Sequence, residues 1–146
     1  MPIGTRRKGQ AWQPVEILIP TELALRVETQ HQLYDRFHGR TVFGARAQLL
    51  TTLIQMWLKD PEQQAADIPR FAPAIRRSGN KTAWRLSLPK DLMVELKARP
   101  EFTQWGAFSR FATLMFERWV AISEARLMQA PSPTPKATLE TEANVD

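Results

Sequence analysis

Arg6, Arg7 and Lys8 stand just ahead of one alternating apolar run, and Arg70, Arg76, Arg77 and Lys81 stand ahead of another. Guanidinium and ammonium groups grouped this way pair with phosphate oxygens. A polyanion is the partner they suggest, and nucleic acid is the commonest one. The competing explanation is a charge excess that only solubilises the chain. Net charge is +5, but the segment from Gln129 sets Lys136 against Glu140, Glu142 and Asp146, a local −2 that leaves +7 on the rest. Other chemistry is thin. His31 and His38 fall on one helical face with no acidic or cysteine partner to complete a metal site, so both are expected to face solvent. There is no Ser-His-Asp set, paired carboxylate or glycine-rich phosphate loop. No enzymatic activity, cofactor or metal is therefore expected.

The elements that would position these groups occur twice. Residues 15–27 are an alternating run, a proline and then P-x-[DE]-L-x-x-x-[VL], and residues 84–96 repeat that pattern. Thr41-Val42-Phe43-Gly44-Ala45 returns as Thr103-Gln104-Trp105-Gly106-Ala107, and Trp57 is matched by Trp119. Each alternating run predicts a strand, ended by Pro20 or Pro89 because proline cannot donate to a ladder. Helical spacing then places Leu23, Val27, Tyr34 and Phe37 on one inward face. Thr41 caps a second helix that turns Ala45, Leu49, Leu53, Met56 and Trp57 inward, and Thr103 caps the last helix. Phe108, Phe111, Leu114, Met115, Phe116, Trp119 and Ile122 make that helix apolar on more than one side, as packing against two neighbours requires.

The expected organisation is a basic arm over 1–13, one half over 14–59, a proline-containing basic linker over 60–81, a second half over 82–128 and an acidic, disordered tail over 129–146. Neither half has core enough to stand alone. Apolar residues make up 43% of the chain, with no cysteine and no run of the ~18 residues that a membrane span needs. A cytoplasmic protein without membrane attachment fits those facts.

A lone strand leaves its backbone groups unpaired. Two copies joined by a long linker can pair antiparallel, each half covering one face of the ribbon with two helices. The expected fold is mostly α with one two-stranded antiparallel ribbon, in the order β-α-α-linker-β-α-α and with pseudo-twofold symmetry. Strand, P-x-[DE]-L helix and the His38-Gly39-Arg40-Thr41-Val42 turn together resemble the ribbon-helix-helix family of the Arc and MetJ repressors. Two motifs in one chain are similar to its tandem forms, such as the relaxosome accessory protein TraY and the T-DNA transfer accessory proteins. The resemblance covers residues 14–59 and 82–122.

The resemblance implies that the ribbon enters the major groove of duplex DNA and that the second helices point their N-termini at phosphates. Glu16, Leu18 and Pro14 would then face out from one strand and Ala83, Arg85 and Ser87 from the other. Glu16 would lie opposite Arg85 in a cross-strand ion pair, Leu18 opposite Ala83 and Pro14 opposite Ser87. Either Arg85 and Ser87 read bases, or binding rests on phosphates and DNA shape. The phosphate set would be Arg40, Thr41, Gly44 and Arg46 in one half and Thr103, Gly106 and Arg110 in the other. Gly44 and Gly106 sit at the third helical position, where glycine costs about 1 kcal/mol against alanine. Close approach to a phosphate or a close helix crossing would each account for them. The basic arms, Arg6, Arg7, Lys8, Arg76, Arg77 and Lys81, would add long-range attraction. Phe43 and Trp105 are expected in the core or opening a helix.

The implied role is that of a DNA-binding accessory factor in plasmid conjugation, with a relaxase or another transfer protein as partner and a higher oligomer on DNA. A transcriptional repressor acting on its own operon is the alternative. A protein-interaction module docking through Leu18, Ala83 and Pro14 is the alternative from another class.

Overall fold

Prolines punctuate the ribbon at matched places. The computed structural model describes residues 11–38, 45–74 and 79–129. β1 (Trp12–Pro20) and β2 (Lys81–Pro89) form one two-stranded antiparallel sheet, paired from Trp12 with Pro89 to Pro20 with Lys81. Pro14 faces Ser87, Glu16 faces Arg85 and Leu18 faces Ala83, the register the resemblance implies. Each end closes on a backbone hydrogen bond: Thr21 N donates to Asn80 O at 3.1 Å, and Lys90 N donates to Ala11 O at 3.0 Å. The side-chain period of two sends Ile17, Ile19, Trp84, Leu86 and Leu88 to one face, where all are buried.

Helices cover that face. α1 (Thr21–His38) and α4 (Lys90–Lys97) start directly after the strand-ending prolines. α1 buries Leu23, Ala24 and Val27, and α4 buries Leu92, Met93 and Leu96, each set along one stripe. α2 (Ala45–Leu58) buries Leu50, Ile54 and Trp57. Met56, expected inward, is 61% exposed, because the buried stripe runs through 50, 54 and 57 and Met56 lies beside it. α5 (Ala107–Gln129) is buried at every position from Phe111 to Phe116, as suits a central helix, although Ile122 beyond them is exposed. A short 3-10 turn, Pro100–Phe102, precedes it.

The expected linker is not one. Within it lies α3 (Pro61–Phe71), which docks on the core through Phe71. Asp60 caps it by accepting from Gln63 N at 3.1 Å, and Pro61 occupies its opening position, where no amide partner is lost. Phe71 joins Trp57, Phe102 and Phe111 in an aromatic cluster with ring centroids 4.9–6.1 Å apart. Asp67, 1% exposed, is the polar anchor. It accepts from Trp57 Nε1 at 3.0 Å, Gln63 Nε2 at 3.1 Å and an Arg118 guanidinium nitrogen at 2.6 Å, so α2, α3 and α5 meet at one carboxylate.

α1 meets α5 through a two-pronged ion pair, Arg26 to Glu124, at 3.0 and 2.6 Å. It also meets α5 through His31, which packs on Trp119 with ring centroids 5.1 Å apart. His31 is thus half-buried against an indole, where solvent exposure had been expected. No helix among the described residues is long and apolar enough to cross a membrane.

Candidate nucleic-acid interface

The outward face of the ribbon carries Pro14, Glu16 and Leu18 on β1 and Lys81, Ala83, Arg85 and Ser87 on β2, all exposed. All five expected base-facing residues therefore share one surface. The expected ion pair does not form: Glu16 and Arg85 are register partners without an ion-pair contact between them. On a solvated face two long side chains gain little by closing on each other and lose rotamer freedom. The Arg85 guanidinium is left to face outward.

The opening of α5 differs from expectation at each residue. Gly106 is not in the third helical position. It stands just outside the helix with φ +80, in the left-handed region that favours glycine. Thr103 does not cap α5, since its hydroxyl donates to Pro100 O at 2.9 Å and it closes the 3-10 turn. Arg110 turns away from solvent-borne ligands. Its Nε donates to Phe71 O at 2.8 Å, one terminal nitrogen to Trp105 O at 3.1 Å and the other to Ala72 O at 3.3 Å. That guanidinium satisfies carbonyls at the end of α3 and ties α3 to α5. A Cβ on Gly106 would come within 2.9 Å of it.

Ser109, which the sequence reading passed over, fastens α5 to the ribbon by accepting from Leu18 N at 3.0 Å. The first turn of α5 therefore lies beside the outward face of β1. Between them is a groove of about 570 Å³, lined by Glu16, Leu18, Lys81, Gly106 and Arg110 from the expected set and by Arg70, Gln104 and Trp105 besides. Trp105, expected in the core or opening a helix, is 87% exposed. It precedes α5 on the turn that Gly106 makes, where its side chain projects past the core.

Arg46, expected at a phosphate, lies over the Trp84 ring at 4.2 Å and 3.6 Å from a Glu28 carboxylate oxygen. Arg6, Arg7, Lys8, Arg40, Thr41, Gly44, Arg76 and Arg77 lie outside the described residues, as does Phe43. Among the described residues no group of His, Cys, Asp or Glu could hold a metal ion. A serine between Phe108 and Arg110 carries no sequence signal of its bond to Leu18 N. No protein-family model, curated protein or solved structure matches this chain.

Proposed function

We propose that this chain is a DNA-binding protein: a single-chain, pseudo-twofold tandem ribbon-helix-helix unit that lays the outward face of its ribbon in the major groove. The observation that carries the reading is the ribbon itself. Strands far apart in the sequence pair in full register and leave Glu16, Leu18, Ala83, Arg85 and Ser87 exposed side by side. A two-stranded ribbon fits the major groove, where base edges carry a distinct donor and acceptor code. Support for the tandem reading comes from burial. Ile17, Ile19, Leu23, Ala24 and Val27 have counterparts Leu86, Leu88, Leu92, Met93 and Leu96 at one constant offset, and all are buried.

The two strands present different side chains, so the two halves of a bound site need not be alike. That suits an asymmetric target such as a transfer origin better than a palindromic operator, and an accessory role in DNA transfer is the reading we favour over repression. Backbone attraction then comes from the excess positive charge.

A mobility-shift series with the full chain, repeated across salt concentrations and against a randomised duplex pool, tests this. Binding should weaken steeply with salt. Arg85→Ala should cost about 1–3 kcal/mol on selected duplexes and far less on unselected ones, as a base contact does. An equal loss on both would make Arg85 a phosphate contact. No shift even at low salt would sink the DNA reading and leave the ribbon as a protein-docking face.

A further inference from the structure

The Trp105 ring is 87% exposed, and its backbone is fixed from two sides. Gly106 holds the turn beneath it and Arg110 donates to its carbonyl at 3.1 Å. The indole is thus presented, not merely left outside. Beside it in the groove lie Phe102 and Phe108, half-buried with ring centroids 6.5 Å apart, and Leu18, 46% exposed. The groove's volume is in the ordinary range for a peptide or small-ligand site. An aromatic-lined groove of this kind takes proline-rich chain, whose preformed extended helix loses little entropy on docking. Proline has no amide hydrogen, so its segment offers chiefly carbonyl acceptors. The Trp105 indole N–H and the Gln104 side-chain amide can both donate to them.

This chain carries such a segment in Ala130-Pro131-Ser132-Pro133-Thr134-Pro135-Lys136, three prolines in alternation with small residues. Charge does not decide the ligand, since Glu16 and Glu117 in the lining are balanced by Arg70 and Lys81 and the Arg110 guanidinium is spent on carbonyls, so the aromatic lining carries the choice. Reach decides whose segment it is. From Phe108 to Gln129 the helix runs about 31 Å at ~1.5 Å per residue. The six residues 130–135 span at most about 21 Å when fully extended. A chain cannot seat its own prolines on its own Trp105.

We propose that the groove at the start of α5 binds the 130–136 segment of a second copy of this chain. Groove and ligand then sit at opposite ends of one helix, so a single contact is head-to-tail and leaves one free groove and one free segment in the pair. Repeated from copy to copy such contacts extend into open chains or close into rings, and a reciprocal exchange closes into a dimer. The inference does not rest on DNA binding, although Glu16, Leu18 and Lys81 border both surfaces.

Two measurements test it. A fluorescent peptide of residues 128–138 should bind the full chain saturably by anisotropy, and Trp105→Ala should weaken that binding at least about tenfold, as loss of an aromatic anchor does. Trp105 is so exposed that this variant should keep the wild-type circular dichroism. In sedimentation velocity without DNA, the wild type should grow with concentration. Trp105→Ala alone and the triple Pro131→Ala, Pro133→Ala, Pro135→Ala variant alone should each lose that growth, and their mixture should recover a 1:1 pair and nothing larger. A peptide that binds the Trp105→Ala protein equally well, or a wild type that stays monomeric at every concentration, overturns the proposal. So does a short oligothymidylate that quenches Trp105 while the peptide does not, since that assigns the groove to nucleic acid.

Discussion

Replacing Asp67 with alanine removes one acceptor and strands three donors. The buried indole N–H of Trp57, bonded at 3.0 Å, has no route to water, and an orphaned buried donor costs about 1–3 kcal/mol. Breaking a fully buried ion pair costs about 3–5 kcal/mol, but the Arg118 side chain is 32% exposed and can turn to solvent, so its share falls near 1 kcal/mol. Gln63 is half-buried and rehydrates at little cost. The expected loss is about 2–4 kcal/mol, a fall in Tm on the order of 10 °C for a domain of this size. Asp67→Asn keeps an oxygen for the indole and forfeits the charge-assisted bond, so it should lose about half as much. Urea denaturation of both variants, with Arg118→Met to close a double-mutant cycle, measures each part. If Asp67→Ala lies within about 0.5 kcal/mol of wild type, the ~1–3 kcal/mol cost of an orphaned donor is not being met at Trp57. α3 would then hold through Phe71 and the Arg110 bonds at its end, and the carboxylate would be incidental.

Two further outcomes follow from the same geometry. Gly106→Ala should destabilise by about 1–2 kcal/mol, the cost of a left-handed L-residue, and urea midpoints would read it. The near contact with Arg110 adds little, because the atom met is the end of a flexible side chain. The Glu124 carboxyl is held below its ordinary value, chiefly by the Arg26 hydrogen bonds. A depressed carboxylate contributes stability above its unfolded pKa and loses it as pH falls through the folded one. Glu124→Gln should therefore flatten the acid limb of stability below about pH 4.3. The effect should stay within about 0.5 kcal/mol and shrink in salt, as both side chains are more than a third exposed.

Much of the ribbon was legible because its signals are local. Alternation fixes which side chains share a face, and Pro20 and Pro89 fix where each strand stops. The register that sets Glu16 opposite Arg85 is not in those signals and is what the resemblance adds. What the sequence hid depends on partners. Pro61, Pro69 and Pro73 read as breakers, yet Pro61 opens a helix comfortably and Asp67, a polar residue, is what docks it. Gly106 reads equally as a residue inside a helix or just before one, and only its φ separates the two. Arg110 reads as a cation for a ligand until the carbonyls of Phe71 and Ala72 are seen within reach. Trp105 has the composition of a core residue and the position of a surface one. Periodicity says which way a side chain points along an element, not what stands in front of it.

The Ser109 hydroxyl has a consequence beyond fastening a helix. An unpaired strand margin is a template on which any stray extended segment can assemble, the usual route to misassociation in small sheets. By taking the Leu18 amide, Ser109 occupies a donor that a third strand would need. A visitor arriving along that margin finds a hydrogen bond already made. Pairing there must break that bond first.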